Sequence, residues 1–181
     1  AAANYPGIRL LKVAKSWKPE PQSDIGGTWK VCTPETVAEG GWGGFSACAY
    51  YFGRELHKQL GVTVGLIDSS WGGTRIESWT PPEGFADVPA LQRDSERVQL
   101  GDPRTRLHKQ RLSQTIEGVE QWLAAARQAL DQSSLVPPLP SYPDELQPPR
   151  DVQHATALYN GMIHPLVPLA LRGAIWYQGE S

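Results

Sequence analysis

Several classes of protein are excluded by what this sequence lacks. It has only two cysteines, Cys32 and Cys48, in 181 residues. Two are too few for a disulfide-stapled scaffold, and they lack the CxxC spacing of a metal or redox site. No apolar run reaches the 18 or so residues that a membrane span needs. The net charge is only -2, from 17 Lys and Arg against 19 Asp and Glu. This balance argues against nucleic acid as a partner, because nucleic-acid binders present a basic face.

Signature motifs of cofactor sites and of common hydrolases are also missing. The sequence has no GxGxxG after a predicted strand and no GxxxxGK[ST], so neither a dinucleotide site nor a P-loop is supported. The nucleophile elbow GxSxG is absent too. None of the four histidines belongs to an HExxH motif, and His154 and His164 are the better candidates for the rim of a cleft. We therefore expect neither a cofactor nor a metal.

The pattern of apolar residues that is present predicts an α/β fold. An amphipathic helix over Phe45–Leu60 ends at Gly61 and is followed at once by a buried strand, Val62–Asp68. The same order recurs near the end of the chain, with a helical stripe over Gly161–Leu171 before an apolar strand, Gly173–Gln178. Further strands are predicted at Ile8–Val13 and Trp29–Cys32. Two helix–strand units favour a parallel sheet with ligands at the carboxyl ends of its strands.

Residues 87–150 have a different character and are predicted to be an insertion. Helical stripes run over Val88–Leu100 and Leu107–Leu130, and the proline-rich stretch Leu135–Pro149 then predicts an extended surface loop. Packing or partner contact is the expected role of this insertion, rather than catalysis. The chain is otherwise interpreted as one domain, 1–181.

The residues that follow the two buried strands are the candidates for chemistry. The first sequence is DSSWGGT, Asp68–Thr74, in which Gly72 and Gly73 could expose backbone N–H groups to an oxyanion or a phosphate. The second is YQGES, Tyr177–Ser181, in which a glutamine amide and a carboxylate flank a glycine. Either sequence alone is also typical of an ordinary tight turn.

Together these blocks resemble the sialate O-acetylesterase family of SGNH-type hydrolases. The resemblance is carried by Phe45–Trp79 and Leu158–Ser181, and the opening from Tyr5 to Thr36 is similar to the segment that precedes them in the family. It implies a three-layer α/β/α sandwich and a serine-dependent removal of O-acetyl groups from carbohydrate, without cofactor or metal. It also implies a periplasmic or extracellular location.

The resemblance further assigns roles to individual residues. Gly72, Gly73 and Gln178 match the blocks that form the oxyanion hole. The substrate-binding candidates are Trp71, Thr74, Asn160 and Glu180, and Trp79 lies in the stretch that shapes the cleft.

Two blocks of the family do not occur in this sequence. The family's nucleophilic serine lies in a GQSN-like block, and its catalytic histidine lies in a DxxH-like block. The first residue is Ala1 rather than Met. We therefore interpret the chain as the central portion of an esterase domain. It is expected to be inactive on acetyl esters by itself, with an open sheet edge that promotes aggregation.

Some alternatives stay open. Ser69 and Ser70 are the internal candidates for a nucleophile, although the resemblance makes them structural. A carbohydrate-binding relative without catalysis and an acetylxylan esterase are the alternative functions.

Overall fold

A small sheet of three strands lies at the centre of the computed structural model, which describes residues 3–39, 43–86 and 88–179. The strands are β1 (Tyr5–Lys12), β2 (Lys30–Cys32) and β3 (Val64–Asp68), in the order β2-β1-β3. Strand β1 is parallel to β3 but antiparallel to β2. The predicted α/β class is therefore confirmed, and the predicted parallel sheet is correct for β1 and β3 but wrong for β2, which is antiparallel.

Five α-helices accompany the strands in the described residues, and their ends follow the local sequence. They are α1 (Pro34–Ala38), α2 (Ala47–Leu60), α3 (Ile76–Trp79), α4 (Gln92–Gly101) and α5 (Arg106–Asp131). Helix α2 begins where the Ser46 side chain accepts a hydrogen bond from the N–H of Ala49, and it ends at Gly61 with a φ of 65°. This left-handed end is the one predicted from the sequence, because glycine adopts that conformation without a side-chain clash.

Two apolar cores lie on opposite faces of the sheet. Successive side chains of a strand point to opposite faces, and Leu66 and Ile67 of β3 accordingly contact different cores. The first core lies beneath α2 and contains Ile8, Leu10, Cys32, Phe45, Tyr50 and Leu66. The second contains Val13, Leu158, Met162 and Leu166, with Trp17, Trp71 and Trp79 packed against it. The aromatic residues near the glycine pair are thus partly structural.

The prediction of a second helix–strand unit is wrong. Instead of one helix over Gly161–Leu171, the chain forms a π-helical turn at Tyr159–Ile163 and a 3-10 turn at His164–Leu166. Pro165 and Pro168 lack the N–H that a longer helix requires. Residues 173–178 form no strand, and Trp176 is 63% exposed. An apolar run becomes a strand only where a neighbouring strand pairs with it.

A loop near the N-terminus is held by this C-terminal segment. The N–H of Lys18 donates to the carbonyl of Ala157 at 2.9 Å, and the N–H of Gln22 donates to that of Asn160 at 3.0 Å. Gly161 makes this approach possible, since a Cβ there would lie 2.3 Å from the carbonyl oxygen of Ser16. The two segments are therefore joined by backbone contacts that require a glycine.

The predicted helices of residues 87–150 are present as α4 and α5. The proline-rich segment after them is mostly exposed and has no regular secondary structure, apart from a 3-10 turn at Asp144–Leu146. The side chain of Leu146 is buried, and an ion pair of 2.8 Å joins Arg111 to Glu145. Within the described ranges, no helix combines the length and apolar character required to cross a membrane.

Candidate functional site

The candidate site begins where β3 ends, at the buried carboxylate of Asp68. One carboxylate oxygen, Oδ2, accepts a hydrogen bond from the N–H of Ser46 at 3.1 Å, and Oδ1 accepts one from the hydroxyl of Ser70 at 2.5 Å. Ser46 caps α2, so the negative charge lies beside the positive end of that helix, which is a favourable position. Asp68 thereby fixes the start of the following loop relative to both β3 and α2.

The loop Trp71–Arg75, called the glycine loop below, is closed by its own threonine. The Thr74 hydroxyl donates to the carbonyl of Trp71 at 2.6 Å and accepts a hydrogen bond from the indole N–H of Trp79 at 2.9 Å. Gly73 has a φ of 74°, a left-handed conformation that side-chain-bearing residues rarely adopt. The conformation of this turn therefore favours glycine at position 73.

Two glutamines bind the same loop from outside. The carboxamide of Gln178 donates to the carbonyl of Thr74 at 3.3 Å. Gln153 donates from Nε2 to the carbonyl of Gly73 at 2.7 Å and accepts from the N–H of Arg75 at 3.0 Å. The structure thus brings Gln178 to the predicted glycines, and it adds Gln153, for which the sequence contains no signal.

The N–H groups of Gly72 and Gly73 have no hydrogen-bond partner within the described residues, whereas the carbonyls of Trp71, Gly73 and Thr74 accept hydrogen bonds. Both residues are exposed, and a Cβ added at either would meet no atom within 4 Å. Free N–H donors with open space in front of them are what the developing negative charge of an oxyanion requires. The loop can therefore receive an anionic oxygen, although its donors are not buried.

The remaining predicted substrate residues are placed differently. Trp71 lies half-buried with the ammonium group of Lys15 5.1 Å from its ring centre. Asn160 is buried away from the loop, with its side-chain Nδ2 donating to the carbonyl of Pro19 at 3.1 Å. Glu180 lies outside the described residues. The structure therefore brings together Trp71, Thr74 and the glycines but not Asn160.

Neither serine of the DSSWGGT block is paired with a histidine. The hydroxyl of Ser69 donates to the carbonyl of Met162 at 3.0 Å, and that of Ser70 donates to Asp68. Acyl transfer by serine needs a base within hydrogen-bond reach. In the part of the chain that the structure describes, no serine hydroxyl hydrogen-bonds to a histidine ring, and no three His, Cys, Asp or Glu side chains are grouped to hold a metal ion.

The two rim histidines lie against other parts of the chain. The ring nitrogen Nδ1 of His164 lies 2.9 Å from the carbonyl of Gln22. Burial lowers the pKa of His154, and the nearby positive charge of Arg97 lowers this pKa further. His154 lines a cavity of about 50 Å³ beside α4, which includes none of the glycine-loop residues. Both histidines therefore lie apart from the free N–H groups.

Comparisons with known proteins confirm the resemblance to sialate O-acetylesterases. No family model matches the chain. The rat sialate O-acetylesterase is 28% identical over 182 residues, which are 99% of this chain and 30% of the relative. The mouse enzyme is 29% identical over 185 residues with the same two coverages, and the human enzyme is 28% identical over 182 residues, 26% of its length. The chain thus spans less than a third of these relatives.

A solved structure points in the same direction. The crystal structure of a carbohydrate acetylesterase from Xanthomonas citri matches with a TM-score of 0.54 and 30% sequence identity. The match covers 99% of this chain and 27% of that protein. Both comparisons therefore relate nearly the whole chain to part of a carbohydrate esterase.

Proposed function

We propose that this chain contributes the oxyanion-binding part of a serine-dependent carbohydrate O-acetylesterase. The observation that carries the proposal is the glycine loop, in which the N–H groups of Gly72 and Gly73 are free and the carbonyls of Gly73 and Thr74 are bound. The relatives named sialate O-acetylesterase support the chemistry. The substrate is an O-acetylated carbohydrate.

The reaction assigns a role to each part of the loop. Attack on the acetyl carbonyl places a negative charge on its oxygen, and the N–H groups of Gly72 and Gly73 stabilise that charge. In this proposal Gln178 adds a carboxamide donor once its bond to the Thr74 carbonyl is released. Trp71, Thr74 and Glu180 contact the sugar, whereas Asn160, which is buried against the Lys18 and Pro19 carbonyls, takes no part in this proposal. The nucleophile and its histidine come from the two family blocks that this sequence lacks.

The same proposal extends to the architecture and location. The sheet has α2 on one face and the helical turns of residues 159–166 packed against the core of the other face. This arrangement supports a three-layer α/β/α sandwich in which residues 87–150 form an insertion. The enzyme acts in the periplasm or outside the cell, where acetylated glycans occur.

The test compares two substitutions at one position in the natural polypeptide that contains this chain. Gly72→Pro deletes one N–H donor, whereas Gly72→Ala keeps it and adds a methyl group that meets no atom within 4 Å. Loss of one oxyanion donor lowers kcat by about 10²–10³-fold. We expect such a fall for Gly72→Pro, little change for Gly72→Ala, and unchanged tryptophan fluorescence in both. The assay is acetate release from O-acetylated sialic acid and from acetylated xylan. Full activity of Gly72→Pro would contradict the proposal.

The chain of 181 residues provides a second test, because it has the loop without the two missing blocks. We expect it to release no 4-nitrophenol from 4-nitrophenyl acetate. Turnover that disappears in Ser70→Ala would show that Ser70 is a nucleophile and would overturn the assignment of roles.

A non-catalytic carbohydrate-binding protein is the second candidate. It is favoured by the absence of a serine–histidine pair in the described residues together with the half-buried Trp71, since tryptophan combines a large apolar surface with a polar N–H group. Binding of an O-acetylated sugar by the natural polypeptide without any acetate release would establish this function instead.

A further inference from the structure

The carboxamide of Gln153 hydrogen-bonds to the glycine loop through both its nitrogen and its oxygen. Its Nε2 donates to the carbonyl of Gly73 at 2.7 Å, and its Oε1 accepts from the N–H of Arg75 at 3.0 Å. These two bonds lie on either side of Thr74, so they fix the backbone on both sides of that residue. Reversing the amide would place an acceptor against a carbonyl and a donor against an N–H group. The two contacts therefore determine the orientation of the carboxamide.

The backbone that carries Gln153 is itself anchored. Its own N–H donates to the carboxylate of Asp151 at 2.8 Å. A short distance along the chain, Thr156 is buried, has a φ of 66° and donates its N–H to the carbonyl of Glu77 at 2.9 Å. A threonine adopts this positive φ only where its surroundings hold it there. The support of Gln153 is therefore fixed relative to α3, which directly follows the glycine loop.

The bond to the Gly73 carbonyl has a consequence for the free N–H groups. Glycine backbone rotates easily, and rotation about the backbone bonds of Gly73 changes the direction of its N–H group relative to its carbonyl. That rotation breaks the Gln153 bond to the Gly73 carbonyl. Donors that are held in place before reaction stabilise a developing charge without reorganisation.

We propose that Gln153 is a positioning residue, which holds the glycine loop in the conformation that presents the N–H groups of Gly72 and Gly73 to an oxyanion. This inference rests on the proposed esterase function. Gln153 contacts neither the substrate nor the reacting atoms, and it acts through the backbone of residues 73–75.

Two substitutions and one control test this role in the natural polypeptide. Gln153→Met removes both bonds at similar size. Gln153→Glu keeps the acceptor for Arg75 but replaces the donor to Gly73 with a carboxylate oxygen. Gln147→Met is the control, because Gln147 also donates one side-chain bond, to Asp144 at 2.7 Å, in the separate turn after α5. The readouts are the hydrogen exchange rate of the Arg75 amide, kcat and KM for acetate release, and kcat of Gln153→Glu against pH.

We expect Gln153→Met to accelerate exchange of the Arg75 amide and to lower kcat, each by about ten-fold, the upper end for one net hydrogen bond. KM should change less than kcat, and Gln147→Met should change neither. Protonation of the Gln153→Glu carboxyl restores a donor. Its kcat relative to the parent enzyme should therefore rise as the pH falls toward the usual glutamate pKa of about 4.3.

The outcomes separate this inference from the proposed function. Unchanged exchange of the Arg75 amide in Gln153→Met would show that the bonds do not hold the loop. Faster exchange with unchanged kcat, in an enzyme that Gly72→Pro inactivates, would overturn the positioning role alone. If the natural polypeptide releases no acetate, the proposed function fails and the positioning role fails with it, and faster exchange then shows only a structural contact.

Discussion

Two helical glycines provide a sharp test of how α2 is held against the sheet, because the same substitution should stabilise the protein at one of them and not at the other. Replacing glycine by alanine inside a helix stabilises it by about 1 kcal/mol. At Gly118 in α5 a Cβ would meet no atom within 4 Å, so the full gain is expected. At Gly53 in α2 a Cβ would lie 2.6 Å from one Leu66 methyl carbon and 2.7 Å from the other. Overpacking of this kind costs about 1–3 kcal/mol.

The two variants should therefore differ by about 1–3 kcal/mol in the free energy of unfolding. Each 1 kcal/mol corresponds to about 2–4 °C in Tm for a protein of this size, so thermal unfolding followed by circular dichroism resolves the difference. Shortening Leu66 to Val should relieve part of the Gly53→Ala penalty, and a double-mutant cycle measures that coupling. Equal stabilisation by Gly53→Ala and Gly118→Ala would refute the packing of α2 on β3 described above.

Three further outcomes are expected. The pKa of His154 is lower in the folded protein than its usual value of 6.5, so folding favours the neutral ring. Its contribution to the free energy of unfolding is complete above pH 6.5 and is lost as the pH falls through the pKa of the folded state. The unfolding free energy should therefore decrease less from pH 7.5 to pH 5 in His154→Gln. In the folded chain a thiol reagent should label the exposed Cys48 but not the fully buried Cys32, and two labelled thiols before unfolding would contradict this burial. Thr74→Val should lower the unfolding free energy by about 1–2 kcal/mol, because an indole N–H loses its acceptor; no change in chemical denaturation would show that this bond is dispensable.

Local signals account for the parts of the fold that were predicted correctly. Helix α2 has a serine at its start and Gly61 at its end, so its limits follow from its own residues. The segment 173–178 is as apolar as β3, yet β3 is a strand and residues 173–178 are not. The difference lies in pairing, because β3 hydrogen-bonds to β1. No local pattern shows whether such a partner is present.

The candidate site likewise contains residues that the sequence indicates and residues that only the structure reveals. For Gly72 and Gly73 the glycine pair after a predicted strand only suggests exposed N–H groups, and the resemblance supplies the predicted oxyanion role. Gln153 was not predicted, since it reaches Gly73 from 80 residues further along the chain and belongs to no motif. Asn160 was predicted to bind the substrate, but its carboxamide donates to the Lys18 and Pro19 carbonyls. Only the tertiary structure shows that a buried amide has backbone partners of this kind.

The contacts between the N-terminal loop and the C-terminal segment also determine when the fold can form during synthesis. Gln22 and His164 are 142 residues apart in sequence, and ribosomes add about 5–20 residues per second. Roughly seven to thirty seconds therefore pass between the synthesis of the loop and the synthesis of its partner. During that time Trp17 and Ile25 lack the core residues Leu158, Met162 and Leu166 that later cover them. This core can be completed only after the residues through Leu166 have been made, and until then its exposed apolar residues are a target for chaperones.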